Sequence, residues 1–219
     1  MIPLRALLRR SSPSVVVIGI ILLNFFCFLT ELSRPSFVTH YSLVPDHLRI
    51  TSLVTYMFLH AGWMHIIGNM WFLWVFGSHL ENALGSSRFL AFYLACGVAA
   101  GAVQAILNLG SPVPTLGASG AIAGVMGAFL IIYPRVRVVT LVILVIFITT
   151  IDIPAFVMLL YWFAIQLFSG LMSTGKLLLN GRVVDGGGVA WFAHVGGFVA
   201  GILLVKLLPA RRFLYDARS

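Results

Sequence analysis

The sequence predicts an all-α membrane protein: a six-transmembrane-helix bundle with a short fourth span starting inside the membrane. Three observations predict it. The 219-residue chain is 60% hydrophobic and only 9% charged, with mean hydropathy +1.04. Soluble domains carry about 25% charged residues, so one small core cannot bury this much apolar side chain. The apolar residues fall into stretches near the roughly 20 residues that a spanning helix needs. The cations gather on alternate sides of those stretches, as positive-inside orientation requires.

Span 1 is expected over residues 14–32. Arg5, Arg9 and Arg10 precede it, but Phe25-Phe26-Cys27-Phe28 leads to no small-residue cleavage site, so it reads as a retained span and not a signal peptide. A long loop, 33–62, carries His40, His47 and His60. Span 2 covers 63–80 and span 3 covers 88–109, where Gly110-Ser111-Pro112-Val113-Pro114 breaks the chain. Span 4 runs only from Ser119 to Tyr133. About fifteen residues give ~22 Å, against a hydrocarbon core of ~30 Å. Its non-helical lead-in must then lie at membrane depth, which is tolerated only within protein or beside a wet cavity. Residues 138–150 are apolar but too short to span, and read as interfacial or re-entrant. Span 5 covers 153–172, a loop 173–187, and span 6 covers 188–208.

Charge counting supports six spans with both termini cytoplasmic: that arrangement puts ten of the fourteen Lys and Arg residues inside. No polar segment is long enough to fold separately, so residues 1–219 read as a single transmembrane domain. The net charge of +8 lies in short loops and tails and forms no basic face, which excludes a nucleic-acid partner. Cys27 and Cys96 sit in apolar stretches with neither metal nor disulfide spacing, and no cofactor or metal is expected. Short tails without a transit signature fit a bacterial plasma membrane; the oligomeric state is unreadable.

Polar groups at membrane depth carry the functional signal. Ser119 opens span 4, where it reads either as an N-cap or as a group held beside a helix N-terminus that suits an oxyanion. Gly120 and Gly124 form GxxxG, and Gly197 and Gly201 form another next to His194. Two such ridges let helix backbones approach closely, bringing Ser119 and His194 to similar depth. A serine hydroxyl is a weak nucleophile without a base, and His194 is the only histidine or carboxylate in spans 4 to 6 able to serve. No carboxylate lies at that depth, so a dyad is expected and not a triad. His65 and Asn69 stand four residues apart and share one helix face. H-E-x-x-H is absent, and two neutral donors suit a developing oxyanion better than a metal. Trp63, Trp71 and Trp74 read as lipid-facing or interface anchors.

His60, His65-x-x-x-Asn69, Gly117-x-Ser119-Gly120 and Ala193-His194-x-x-Gly197-x-x-x-Gly201, in that order on six spans, resemble the rhomboid family of intramembrane serine proteases. The resemblance implies Ser119 as nucleophile and His194 as base, with His65, Asn69 and the Ser119 backbone N–H lining the oxyanion hole. Gly117, Gly120, Gly197 and Gly201 become structural residues near the site, and Glu81 matches the family's structural acidic residue. The implied substrates are single-span membrane proteins with small or helix-breaking residues near the cut, arriving laterally past span 5. Two departures stand out. The aromatic residue many members carry four positions after the serine is Ala123 here, and the Trp-Arg pair of the first loop is missing. An inactive, client-binding relative and a transporter using His65 and His194 as relay groups are the rival readings.

Overall fold

The computed structural model describes residues 2–8, 12–34, 36–144, 147–179 and 190–209. The predicted loop's 180–187, the start of span 6 at 188–189 and the basic tail from 210 lie outside them. Helix α1 (Val15–Ser33) is followed by short helices α2 (Ser36–Tyr41) and α3 (Ser52–Thr55) in the long first loop. Helix α4 (Trp63–Phe72) continues through a π-helical turn, Leu73–Gly77, into α5 (Ser78–Leu84). Then come α6 (Ser86–Leu107), α7 (Ser119–Ile132), α8 (Ala155–Leu179) and α9 (Trp191–Val205).

Among the described residues, three helical stretches are long and apolar enough to cross a membrane: Val15–Ser33, Ser86–Leu107 and Ala155–Met172. Two shorter apolar helices, Ser119–Ile132 and Trp191–Val205, pack between them. The molecule is apolar inside and out. Leu22, Phe26, Phe168 and Leu203 are exposed, while Asn24, Glu81, Gln166 and His194 are buried. A soluble protein rarely shows such an outer surface; a lipid-facing bundle with polar groups turned inward does.

Helix α7 is the axis of the fold. Every residue from Gly120 to Phe129 is buried, as expected for a helix that is hydrophobic all round. It packs most extensively on α9, and α9 next on α6. The glycine ridges form that contact. A Cβ on Gly197 would run into the carbonyl of Gly120, and one on Gly201 into the backbone of Gly124. On the other side, Gly124 lies against Cys96 of α6. Backbone meets backbone, which only hydrogen side chains permit.

Buried carboxylates tie the periphery to this axis. Glu81 accepts the N–H groups of Val16 and Val17 at 3.0 and 2.9 Å, and the Ser86 hydroxyl at 2.7 Å. It thus caps the otherwise uncapped start of α1, where a negative charge also meets the positive end of the helix dipole. At the other end of α1, Glu31 accepts the backbone N–H of His60 through both oxygens, at 3.2 and 3.1 Å. That bond fixes the chain just before α4.

The all-α expectation requires correction. Strand β1 (Ile2–Ala6), β2 (Arg137–Leu144) and β3 (Phe147–Pro154) form an antiparallel sheet in the order β1-β2-β3. The segment at 138–150, expected to be interfacial or re-entrant, is most of the β2–β3 hairpin. Its residues explain it: Val138, Val139, Val142, Ile148, Thr149, Thr150 and Ile151 are β-branched and favour the pleated surface. Val138, Thr140 and Val142 are buried with less buried residues between them, the period of two of a half-buried strand. Predicted span 5 accordingly begins as helix at Ala155, because Ile153 and Pro154 still pair with Val138 and Arg137. The sheet follows the C-terminal end of α7, far from Ser119, and is anchored to α4 by the Trp71 indole N–H donating to the Pro3 carbonyl.

Candidate active site

The site forms where the starts of α7 and α9 meet. Residues 115–117 lead into α7 outside any helix, and Ala118 at the N-cap already has helical backbone angles. Thr115 is pinned by paired backbone bonds with Leu43, and the Gly117 N–H donates to the Tyr56 carbonyl at 2.9 Å. Gly117 has φ 126°, a conformation that side chains resist. Space forbids a side chain there too, since a Cβ would sit 2.9 Å from Cε1 and Nε2 of His65. The His65 ring therefore lies directly over the residue two before Ser119. No side chain caps α7, so the N–H groups of its first turn have no partner within the helix.

Ser119 is half-buried, and its Oγ lies 2.7 Å from Nε2 of His194. The two residues are 75 positions apart. They meet because Gly120 and Gly197, one and three positions further along their helices, bring the two backbones into contact. His194 is 7% exposed. The start of α9 is held from α6, where Gln104 Oε1 accepts the Ala193 N–H at 3.1 Å. This satisfies a first-turn donor that no cap on α9 itself reaches.

The remaining predicted residues are close by. His65 Nδ1 accepts the Ala61 N–H at 3.3 Å, which orients the ring over Gly117. Asn69 is buried at 8% exposure, and its Nδ2 donates to the His65 carbonyl one turn back at 3.0 Å. The His60 ring packs edge-on against His65 with centroids 5.1 Å apart. His60 precedes α4 in the loop, and burial, then the neighbouring His65, push its imidazole down to about 3. It is thus a neutral support for the His65 ring. Among the described residues, no group of three or more His, Cys, Asp or Glu side chains is placed to hold a metal ion.

Three contacts on His194 were not anticipated. Ala123 is fully buried, so an aromatic ring comes from elsewhere. Trp162 of α8 faces the imidazole at 5.7 Å and 38°, and Trp191 stands edge-on at 6.4 Å and 88°. Nδ1 lies 2.7 Å from Oε1 of Gln166, also on α8. A dyad without a carboxylate was expected; here the Nδ1 side of the ring is met by the Gln166 amide. The signal available in the sequence was Gln166 itself, a lone amide within an apolar span, one helical turn after Trp162.

Comparison with known proteins gives this geometry a lineage. A Rhomboid domain profile matches residues 47–211. The chain is 34% identical over 134 residues to Rhomboid protease GluP of Bacillus subtilis, a stretch covering 57% of this chain and 26% of that protein. It is 34% identical over 118 residues to the mitochondrial Presenilin-associated rhomboid-like protein of Bos taurus, covering 51% of this chain and 31% of the relative. Rhomboid protein 1, mitochondrial, of Saccharomyces cerevisiae is 33% identical over 95 residues, 42% of this chain and 28% of the relative. The matched stretch thus spans less than a third of each relative's length. With the profile taking in most of its length, from the first loop to the end of the last helix, the chain belongs to the rhomboid family.

Proposed function

We propose that this protein is an intramembrane serine endopeptidase that cleaves single-span membrane proteins within or next to their transmembrane segment. The observation that carries the reading is the 2.7 Å contact between Ser119 Oγ and His194 Nε2 in an apolar bundle. That distance is within reach for a base to take the hydroxyl proton. One curated relative bears the name rhomboid protease, which agrees with this chemistry.

In the proposed mechanism Ser119 Oγ attacks the scissile carbonyl as His194 Nε2 takes its proton. The developing oxyanion is received by the Ser119 backbone N–H, His65 and Asn69. Preorganised donors of this kind act strongly where water is scarce. The tetrahedral intermediate collapses, His194 protonates the leaving amine, and water then hydrolyses the acyl-enzyme with His194 as base again. For Asn69 to serve, its Nδ2 must turn from the His65 carbonyl toward the substrate; catalytic bonds often tighten only in the complex. The substrate helix must unwind first, because a helical amide is shielded and already hydrogen-bonded.

The proposal includes one transmembrane domain over residues 1–219, with six spans and both termini cytoplasmic. The α4–α5 rod supplies span 2 beside the three long helices and the two short ones. Helix α7 then starts below the membrane surface, so that water reaches Ser119 from the outer face. Lateral access past α8 and membrane-protein substrates come from the family resemblance, and a bacterial plasma membrane is the proposed location.

The test is purified protein in proteoliposomes with a single-span model substrate and a fluorophosphonate probe. Cleavage together with labelling at Ser119, both lost in Ser119→Ala, is the expected result. Labelling without cleavage of any substrate offered points to a client-binding relative. Neither labelling nor cleavage by folded protein refutes the reading.

A further inference from the structure

The His194 imidazole has two nitrogens, and the mechanism above uses one. The other, Nδ1, lies 2.7 Å from Gln166 Oε1. Gln166 is 7% exposed and stands four residues after Trp162, so both project from the same face of α8. Trp162 lies tilted against the imidazole at 5.7 Å between centroids, while Gln166 meets its Nδ1 edge. An amide oxygen accepts hydrogen bonds and cannot donate one. Nδ1 must therefore carry the ring's proton, which leaves the Nε2 lone pair facing the Ser119 hydroxyl. The opposite tautomer would set two lone pairs against each other in a buried site, where an unpaired polar group is costly.

Resting on the protease reading, we propose that Gln166 is the positioning residue of the catalytic base. Its amide oxygen selects the Nδ1–H tautomer of His194 and keeps hold of that proton throughout the reaction. When the Oγ–C bond forms, the Oγ–H bond breaks and its proton passes to Nε2, while the carbonyl π electrons become the oxyanion. The Nε2 proton then goes to the leaving amine nitrogen. The Nδ1–H bond neither forms nor breaks. At the imidazolium stage its hydrogen bond to Gln166 becomes charge-assisted and strengthens.

An amide in this place follows from the surroundings. A carboxylate would stabilise the imidazolium more, but its own burial would cost far more than that of a neutral group. The groups facing His194 are Ser119 from α7, Gln166 and Trp162 from α8, and Trp191 on its own helix. His65 is its electrostatic neighbour from α4. Among the described residues no carboxylate bonds to the ring.

Gln166→Leu and Gln166→Glu in the full chain, in proteoliposomes, test this. Leu removes the acceptor at similar size, and Glu restores it. For Gln166→Leu, kcat should fall about 10- to 100-fold, the range for a hydrogen bond to a charged group, with KM close to wild type and Tm lowered only as far as one orphaned buried N–H requires. The acid limb of the kcat/KM profile should move to lower pH in Gln166→Leu. In Gln166→Glu, kcat should recover and the limb should move to higher pH. In ¹⁵N-histidine spectra the His194 resonances, identified by their loss in His194→Ala, should report the Nδ1–H tautomer in wild type and a mixture in Gln166→Leu. A Gln166→Leu enzyme with wild-type kcat and acid limb overturns the proposal. So does loss of activity in both variants in step with a lowered Tm, the signature of packing alone. If wild-type protein neither cleaves substrate nor labels, the protease reading falls. The spectra then decide this inference separately, and an unchanged tautomer in Gln166→Leu refutes it.

Discussion

Gly197→Ala adds a single methyl group where the structure has no room for it. Its Cβ would collide with the Gly120 carbonyl oxygen, lie 2.9 Å from the carbonyl carbon and 3.3 Å from Ala100 Cβ. The obstacle is helix backbone, so no rotamer change relieves it. The carbonyl oxygen is the nearest obstacle, and a Cβ keeps about 3.0 Å or more from such an atom, so α9 must withdraw from α7 by roughly 1 Å. Gly120 adjoins Ser119, and Gly197 is one turn from His194, so the withdrawal acts directly on their hydrogen bond. The present 2.7 Å would stretch to roughly 3.7 Å, beyond the normal range for a hydroxyl donor. Overpacking typically costs about 1–3 kcal/mol, and a misplacement approaching 1 Å can cost about 10²-fold in rate. Tm and kcat should therefore both fall, kcat by about 10- to 100-fold on that scale. The assay is thermal unfolding in detergent beside cleavage kinetics in proteoliposomes. Gly19→Ala is the control, because a Cβ there meets nothing within 4 Å. Gly85 is unsuited to that purpose, since its φ of 83° would strain any side chain. A Gly197→Ala protein with wild-type Tm and turnover would show that α7 and α9 do not meet as described.

Other perturbations separate chemistry from scaffold. Ser119→Ala should abolish cleavage and fluorophosphonate labelling while leaving Tm close to wild type, because Ser119 is only half-buried; unchanged proteolysis would remove it from catalysis. Asn69→Ala should lower kcat more than it raises KM, up to the 10²–10³-fold typical of one oxyanion donor; a change in KM alone would assign it to substrate positioning. Glu81→Ala should lower Tm and leave the kcat of the folded fraction nearly intact. It orphans the buried N–H of Val17 and the partly buried N–H of Val16, and a buried donor costs about 1–3 kcal/mol when left unsatisfied. Wild-type stability in Glu81→Ala would show that α1 does not depend on this cap.

Some of this protein was fixed by composition and spacing. Apolar runs of about 20 residues and a charge bias at their ends mark membrane helices without reference to any contact. The break at Gly110–Pro114 and the stop at Pro134 bound α7 to within a residue, because glycine and proline act on the local backbone. Gly120, Gly124, Gly197 and Gly201 announced close approach for a similar reason: a missing side chain is a local fact with one main structural use. The β2–β3 hairpin was also legible, in the β-branched residues of 138–151, but length was weighed there ahead of residue type. Pairing with β1, more than 130 positions away in sequence, was not legible at all.

Apart from Ser119, which the glycine ridges already pointed to, the groups around His194 were decided by tertiary structure alone. Ser119, Gln104, Trp162 and Gln166 come from four positions spread along the chain, and their meeting depends on how three helices rotate about their axes. Periodicity tells which residues share a face of one helix; it does not tell which neighbour that face meets. Sequence therefore supplied the nucleophile and the base as candidate types. Packing of α8 against α9 supplied what holds the base, because an amide in an apolar span acquires a role only when burial leaves it one partner.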